Sequence, residues 1–153
     1  MCLYTKKRAK SLSKKELTVY KVIDTNGFPP TYSTYQYHEG LNVADETKRS
    51  KPEYSGEGLY SVGPGYLHAF TERSGAELMI DIIKQNQYKR KGTNYKVVKM
   101  KIPPMTPYYL SYDGKEMCSE ALFWKKSLSF RITELAKKLF KKKCALLQNK
   151  KNR

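Results

Sequence analysis

From Glu16 to Ser119 the chain is built mostly of strand-length runs that glycine and proline stop at short intervals. "ELTVYKVID" (Glu16–Asp24) alternates apolar and polar residues as a half-buried strand does, and "TNGFPP" ends it. "TYSTYQYHE" (Thr31–Glu39) reads as a second β run, with Tyr32 and Thr34 on one face and Tyr35 and Tyr37 on the other. Gly40 to Gly58 is polar and broken by Pro52, which reads as a long loop. "GLYSVGPGYLHAFT" (Gly58–Thr71) predicts two short strands about a Gly-Pro-Gly turn. "YKVVKMKIP" (Tyr95–Pro103) is a further half-exposed strand, and Asp113-Gly114 in "PYYLSYDGKEMCS" predicts a hairpin with a type I′ turn.

Two segments carry helical rather than strand periodicity. In "SGAELMIDIIK" Ser74 and Glu77 have the spacing of a capping box, and Leu78, Met79, Ile82 and Ile83 share one face, predicting a helix over Gly75–Asn86. Near the end, Ile132, Leu135, Ala136, Leu139, Phe140, Cys144 and Leu147 form one stripe, predicting a helix over Ser129–Gln148 with Lys137, Lys138, Lys141 and Lys142 largely off the stripe. The expected class is therefore α+β: a small antiparallel sheet with one packed helix, plus a basic amphipathic C-terminal helix. At 153 residues the chain is one domain's worth.

Charge divides the chain more sharply than periodicity does. Residues 1–15 carry six basic groups and no acid, and residues 125–153 carry eleven basic groups against Glu134 alone. Residues 16–124 hold thirteen of each sign. This suggests a basic N-terminal arm (1–15), a neutral α+β body (16–124) and a basic C-terminal helix (125–153). One-sign ends repel each other and call for an anionic partner. Nucleic acid fits best, because lysine displaces counterions and aromatic faces stack on single strands. Lys6, Lys7, Arg8 and Lys10 would supply the N-terminal contacts, and Lys137, Lys138, Lys141, Lys142 and Lys143 the C-terminal ones. Leu135, Leu139 and Phe140 would dock the helix. An acidic protein surface is the second partner the charge suits. Tyr4, Trp124 and Phe140 lie among these lysines, in a chain with thirteen Tyr against five Phe.

Other chemistry finds little support in the residues. Cys2, Cys118 and Cys144 are odd in number and far apart, which argues against a disulfide framework or a zinc site and for a reducing compartment. No apolar run follows the N-terminal charge as in a signal peptide, and none approaches the ~18 residues of a membrane span. Gly56 and Gly58 begin a GxGxxG pattern that Ser61 breaks. His38 and His68 lack close Cys or Asp partners, so no metal is expected. Glu116 and Glu120 flank Cys118-Ser119 in "KEMCSE", which reads as a solvated strand end rather than an acid–base pair.

Several patches together, "MCLYTKK", "YKV", "GLYSVGPGYLHAF" and "YKVVKMKIPPMTPYYLSYDGKEMCSE", resemble a group of short, functionally uncharacterised proteins of gut Bacteroidetes and their phages, crAss-like phages included. The resemblance runs over Met1–Leu122 and implies a phage or mobile-element setting, with no activity attached. More loosely, "YKV" in a first strand, "GYLHAF" in a later one, a helix and a final acidic strand look similar to the ADP-ribosyltransferase arrangement. That family uses a His or Arg near its first strand and a late Glu to engage NAD. Here His68 falls later than that position, and Glu116 and Glu120 match the Glu by place alone.

The expectation is a non-enzymatic phage-type accessory protein, located in the virion or the host cytoplasm, with no cofactor. It would bind nucleic acid, DNA or RNA, alone or within an oligomer or larger assembly.

Overall fold

The computed structural model describes residues 3–30, 35–85 and 93–125. Three strands open the described chain: β1 (Leu3–Thr5), β2 (Ser11–Leu12) and β3 (Leu17–Asp24). β4 (Gly40–Val43), a 3-10 turn at Glu46–Lys48, β5 (Glu53–Gly56), β6 (Leu59–Val62) and β7 (Leu67–Phe70) follow, then helix α1 (Arg73–Gln85). β8 (Tyr95–Ile102), β9 (Pro107–Leu110), β10 (Glu116–Ser119) and β11 (Ala121–Trp124) complete the set. The α+β class expected from the sequence is therefore present, the described residues forming two antiparallel sheets and one α-helix.

The smaller sheet runs β1-β6-β5 and the larger one β2-β9-β10-β7-β3-β8-β11-β4. β10 and β11 are separated by Glu120 alone, yet they stand third and seventh in the larger sheet. One stretch of chain thus pairs with β7 and β9 on one side of Glu120 and with β8 and β4 on the other. The sheet must curl round for this to happen. Its inner face holds the main core, including Val19, Ile23, Val98, Met100, Ile102, Leu67, Ala69, Met117 and Leu122. A second cluster of Leu3, Val62, Tyr66, Tyr109 and Cys118 joins the two sheets. Burial pushes the Cys118 thiol up to about 12, so it is a packing residue rather than a reactive thiolate. Residues 3–12, expected in an arm, are woven in, because β1 pairs with β6 and β2 with β9.

The strands at Leu17–Asp24, Leu59–Val62, Leu67–Phe70 and Tyr95–Ile102 lie where the alternation put them. The Gly40–Gly58 stretch differs, since it contains β4, β5 and the 3-10 turn. β4 exists because β11, some eighty residues on, supplies its ladder, and no local pattern signals such a partner. Tyr35 and Tyr37 lie outside any strand; the segment is tied down by bonds that include Tyr37 N–H to Gly27 O at 2.8 Å, Gln36 Nε2 to Asn26 O at 2.9 Å and His38 N–H to Asn42 Oδ1 at 3.0 Å. In the β9–β10 connection Gly114 alone has positive φ, so the turn is not type I′, which needs two such residues.

The capping box does not form either. α1 starts at Arg73, which takes the Glu77 carboxylate at 2.7 Å and leaves Ser74 inside the first turn. Ala76 is the buried residue of α1, while Leu78 and Ile82, assigned to its apolar face, are 61% and 43% exposed. The helix expected over Ser129–Gln148 lies outside the described residues, and so do Leu135, Lys137, Lys138, Leu139, Phe140, Lys141, Lys142 and Lys143. Among the described residues no helix is long and apolar enough to cross a membrane.

Candidate functional site

Of the N-terminal cations, Lys6, Lys7 and Arg8 stand exposed between β1 and β2. Lys10 does not share that freedom: its ammonium donates to Glu120 Oε1 at 2.8 Å. Arg8 comes together with Lys51, Glu53, Tyr54 and Tyr60 around a shallow concavity beside the smaller sheet. Tyr54 and Tyr60 are cross-strand partners on β5 and β6, with rings edge to face at 5.7 Å. Tyr54 is 67% exposed, so a ring of this size faces solvent next to two cations. Tyr4 is exposed on the neighbouring strand, whereas Trp124 lies under Lys96, whose ammonium is 5.7 Å from the ring centroid.

A cavity of about 670 Å³ opens at the divergence of β3 and β7. These two strands pair at one position, Tyr20 with Phe70, and then part. Where they part, the His68 carbonyl accepts a hydrogen bond from the Lys21 ammonium, which takes the place of a ladder N–H. Lys21 lies on the inner face of β3 with Val19 and Ile23, and its ammonium sits 5.2 Å from the centroid of the Tyr37 ring. Burial holds its pKa down to about 8, against an opposing pull from Glu116. The group stays largely cationic at neutral pH.

Glu116 opens β10 and lines the same space, and burial raises its carboxyl above the usual range, Asp113 adding to the rise and Lys21 opposing it. His68 also lines the cavity; burial and the nearby Lys21 charge lower the pKa of its ring to about 4, so it is neutral at pH 7. Its Nδ1 is buried with no hydrogen-bond partner among the described residues. Tyr35, Tyr37, Phe70, Pro29, Pro30 and Met79 give apolar and aromatic walls, and exposed Gln36, Asp45, Lys48 and Pro64 form a solvent-facing rim.

Two glycines let these walls close. A Cβ on Gly27 (φ +88°) would lie 2.2 Å from Tyr37 O, so the bare backbone there is what seats Tyr37 over Lys21. A Cβ on Gly65 (φ +90°) would meet the backbone of Lys48 and Arg49 within 2.7 Å. That approach brings the 3-10 turn against the rim and sends Arg49 toward Glu120.

Glu120 takes no part in the cavity, and it is not a solvated strand end. It is 4% exposed, and its two oxygens accept from Lys10 and Arg49 at 2.8 Å each. Arg49 Nη2 also donates to Ala44 O at 3.0 Å. The carboxylates four residues apart thus have separate tasks: Glu116 is half-buried in a cavity and Glu120 fastens the corner between β10 and β11. Among the described residues no group of three or more His, Cys, Asp or Glu is placed to hold a metal ion.

Lys21 was legible in the sequence but not read. It sits between Val19 and Ile23 at the alternating positions of an apolar face, and a charge placed there is rarely without a task. No protein-family model, curated protein or solved structure matches the chain.

Proposed function

We propose that the protein binds single-stranded nucleic acid, without enzymatic action on it, along the basic face beside the smaller sheet. The observation that carries this reading is the meeting of Arg8 and Lys51 with the solvent-facing Tyr54 and with Tyr60. Cations neutralise phosphates while an exposed ring accepts a base of any identity, which is the chemistry of sequence-tolerant strand binding. Lys6 and Lys7 extend the charge along the same loop, and Glu53 is the acid within the concavity. The resemblance to phage proteins suggests the setting: a virion component facing the packaged genome, or an early protein acting on a host nucleic-acid-handling complex.

Fluorescence anisotropy with an oligothymidylate across a salt series tests it. The logarithm of affinity should fall with the logarithm of salt, by about 0.7 per phosphate contact. Replacing Lys6, Lys7 and Arg8 with alanine should make that slope shallower by about two. Tyr54→Ala should weaken binding by about 1 kcal/mol with the slope unchanged. Absence of binding at low salt would sink the proposal and leave an acidic protein as the partner for this charge.

A further inference from the structure

We propose that Glu120 is a positioning residue: with Lys10 and Arg49 it latches together the two chain segments whose cations meet at the concavity beside the smaller sheet. What the latch serves rests on the strand-binding reading above, whereas its geometry stands by itself. Arg8 and Lys51 line that concavity, and they come from distant parts of the sequence. Each stands two residues from a cation bound to Glu120: Lys10 follows Arg8, and Arg49 precedes Lys51. Lys10 Nζ donates to Glu120 Oε1 and Arg49 Nη1 to Glu120 Oε2, both at 2.8 Å. Both cations also lie against Tyr66, at 5.5 Å and 5.9 Å from its ring centroid. That ring is buried and set edge to face against Tyr109 at 5.5 Å, so the two segments share one carboxylate and one fixed aromatic ring.

Holding the fold does not by itself require Lys10. A buried carboxylate needs a counter-charge, and Arg49, the more buried of the two cations, supplies one while its Nη2 also donates to Ala44 O. Arg49 is fixed from its own side as well, because its segment passes Gly65 at a distance that leaves no room for a Cβ. Lys10 adds a second cation to the same group, brought by the loop that carries Lys6, Lys7 and Arg8. Without Glu120 the two cations would repel each other and their segments would part. A loop that is already ordered avoids the entropy it would otherwise lose on meeting a strand. Lys10 is thereby a latch and not a phosphate contact, a different task from the one its place among the N-terminal cations suggests.

Two variants of the full chain separate these tasks. Lys10→Met keeps the stem beside Tyr66 and removes the bond to Glu120, and Lys10→Arg keeps both. Limited trypsin digestion followed by mass spectrometry reads the loop without any ligand. Cleavage after Lys6, Lys7 and Arg8 should be about threefold faster in Lys10→Met, the scale of one part-exposed ion pair, and unchanged in Lys10→Arg. Thermal melts of the three proteins should lie close together, since Glu120 keeps Arg49. Oligothymidylate affinity should fall about threefold in Lys10→Met with the salt slope unaltered, and Lys10→Arg should restore it. A slope shallower by about 0.7 in Lys10→Met would mark a lost phosphate contact, and equal cleavage in wild type and Lys10→Met would show a loop that needs no latch. Either result overturns the proposal. If oligothymidylate does not bind the wild-type chain, the strand-binding reading falls, and the cleavage rates alone decide whether Lys10 holds the loop.

Discussion

His68 shows what a single buried ring does to the whole protein's response to acid. Its pKa is about 4 in the folded protein against 6.5 unfolded, because burial and Lys21 disfavour the imidazolium. Between those values the unfolded chain binds more protons than the native one, so the neutral ring's contribution is present above 6.5 and lost as pH falls toward 4. Urea unfolding at pH 7 and at pH 4.5 (about two units below the unfolded value) should show a loss on the order of 2–3 kcal/mol. His68→Gln should remove most of that dependence, whereas a protein whose acid response came only from its carboxylates would keep it.

Among the elements, local and distant causes separate cleanly. β3 and β8 could be read from their own alternation, because each residue's face is fixed by the two-residue period and the buried face is apolar. β4 and β5 could not. In β4 the buried residue is Asn42 while Val43 is exposed, and in β5 none is buried, so pairing with β11 and β6 decides their state. The cavity was hidden for the same reason, since β3, β7 and β10 meet there from three separate stretches. The turn after β3 lies between these cases: "NG" announced a turn, but not that Tyr37 would close onto it. Gly27→Ala should cost roughly 1–3 kcal/mol, from its left-handed backbone together with the clash against Tyr37 O. Gly58→Ala, at φ +74° with open space around it, should cost less. Thermal melts of the two variants compare them directly.

At the scale of the molecule, stability concentrates at Glu120. The strands on either side of it belong to opposite ends of the curled sheet, and its backbone joins two further segments: Ala44 N–H donates to Glu120 O at 2.9 Å, and Glu120 N–H to Pro107 O at 3.1 Å. Its side chain holds Arg49, whose own side chain is 12% exposed, and Lys10, which is more open. Glu120→Ala would leave the Arg49 guanidinium buried without its counter-charge. The expected loss is about 3–5 kcal/mol, read from the urea midpoint, nearly all through Arg49 because a pair as exposed as Lys10 contributes little. Lys10→Ala should then shift that midpoint only slightly. The sequence showed Glu116 and Glu120 as two like groups four apart; only the path of the sheet distinguishes an acid that lines a cavity from one that fastens a corner.

The strand order described above also bears on how copies of this chain behave when crowded together. β2, at one margin of the larger sheet, is two residues long and is soon followed by Lys14 and Lys15. β4, at the other margin, spans four residues and starts at a glycine. In the smaller sheet β5 is broken by a bulge between Tyr54 and Gly56, and β1 ends against Lys6 and Lys7. Short, kinked or lysine-guarded margins make poor templates for a neighbour's backbone. A fold so rich in β-structure therefore carries its own protection against the edge-to-edge growth that ends in fibres.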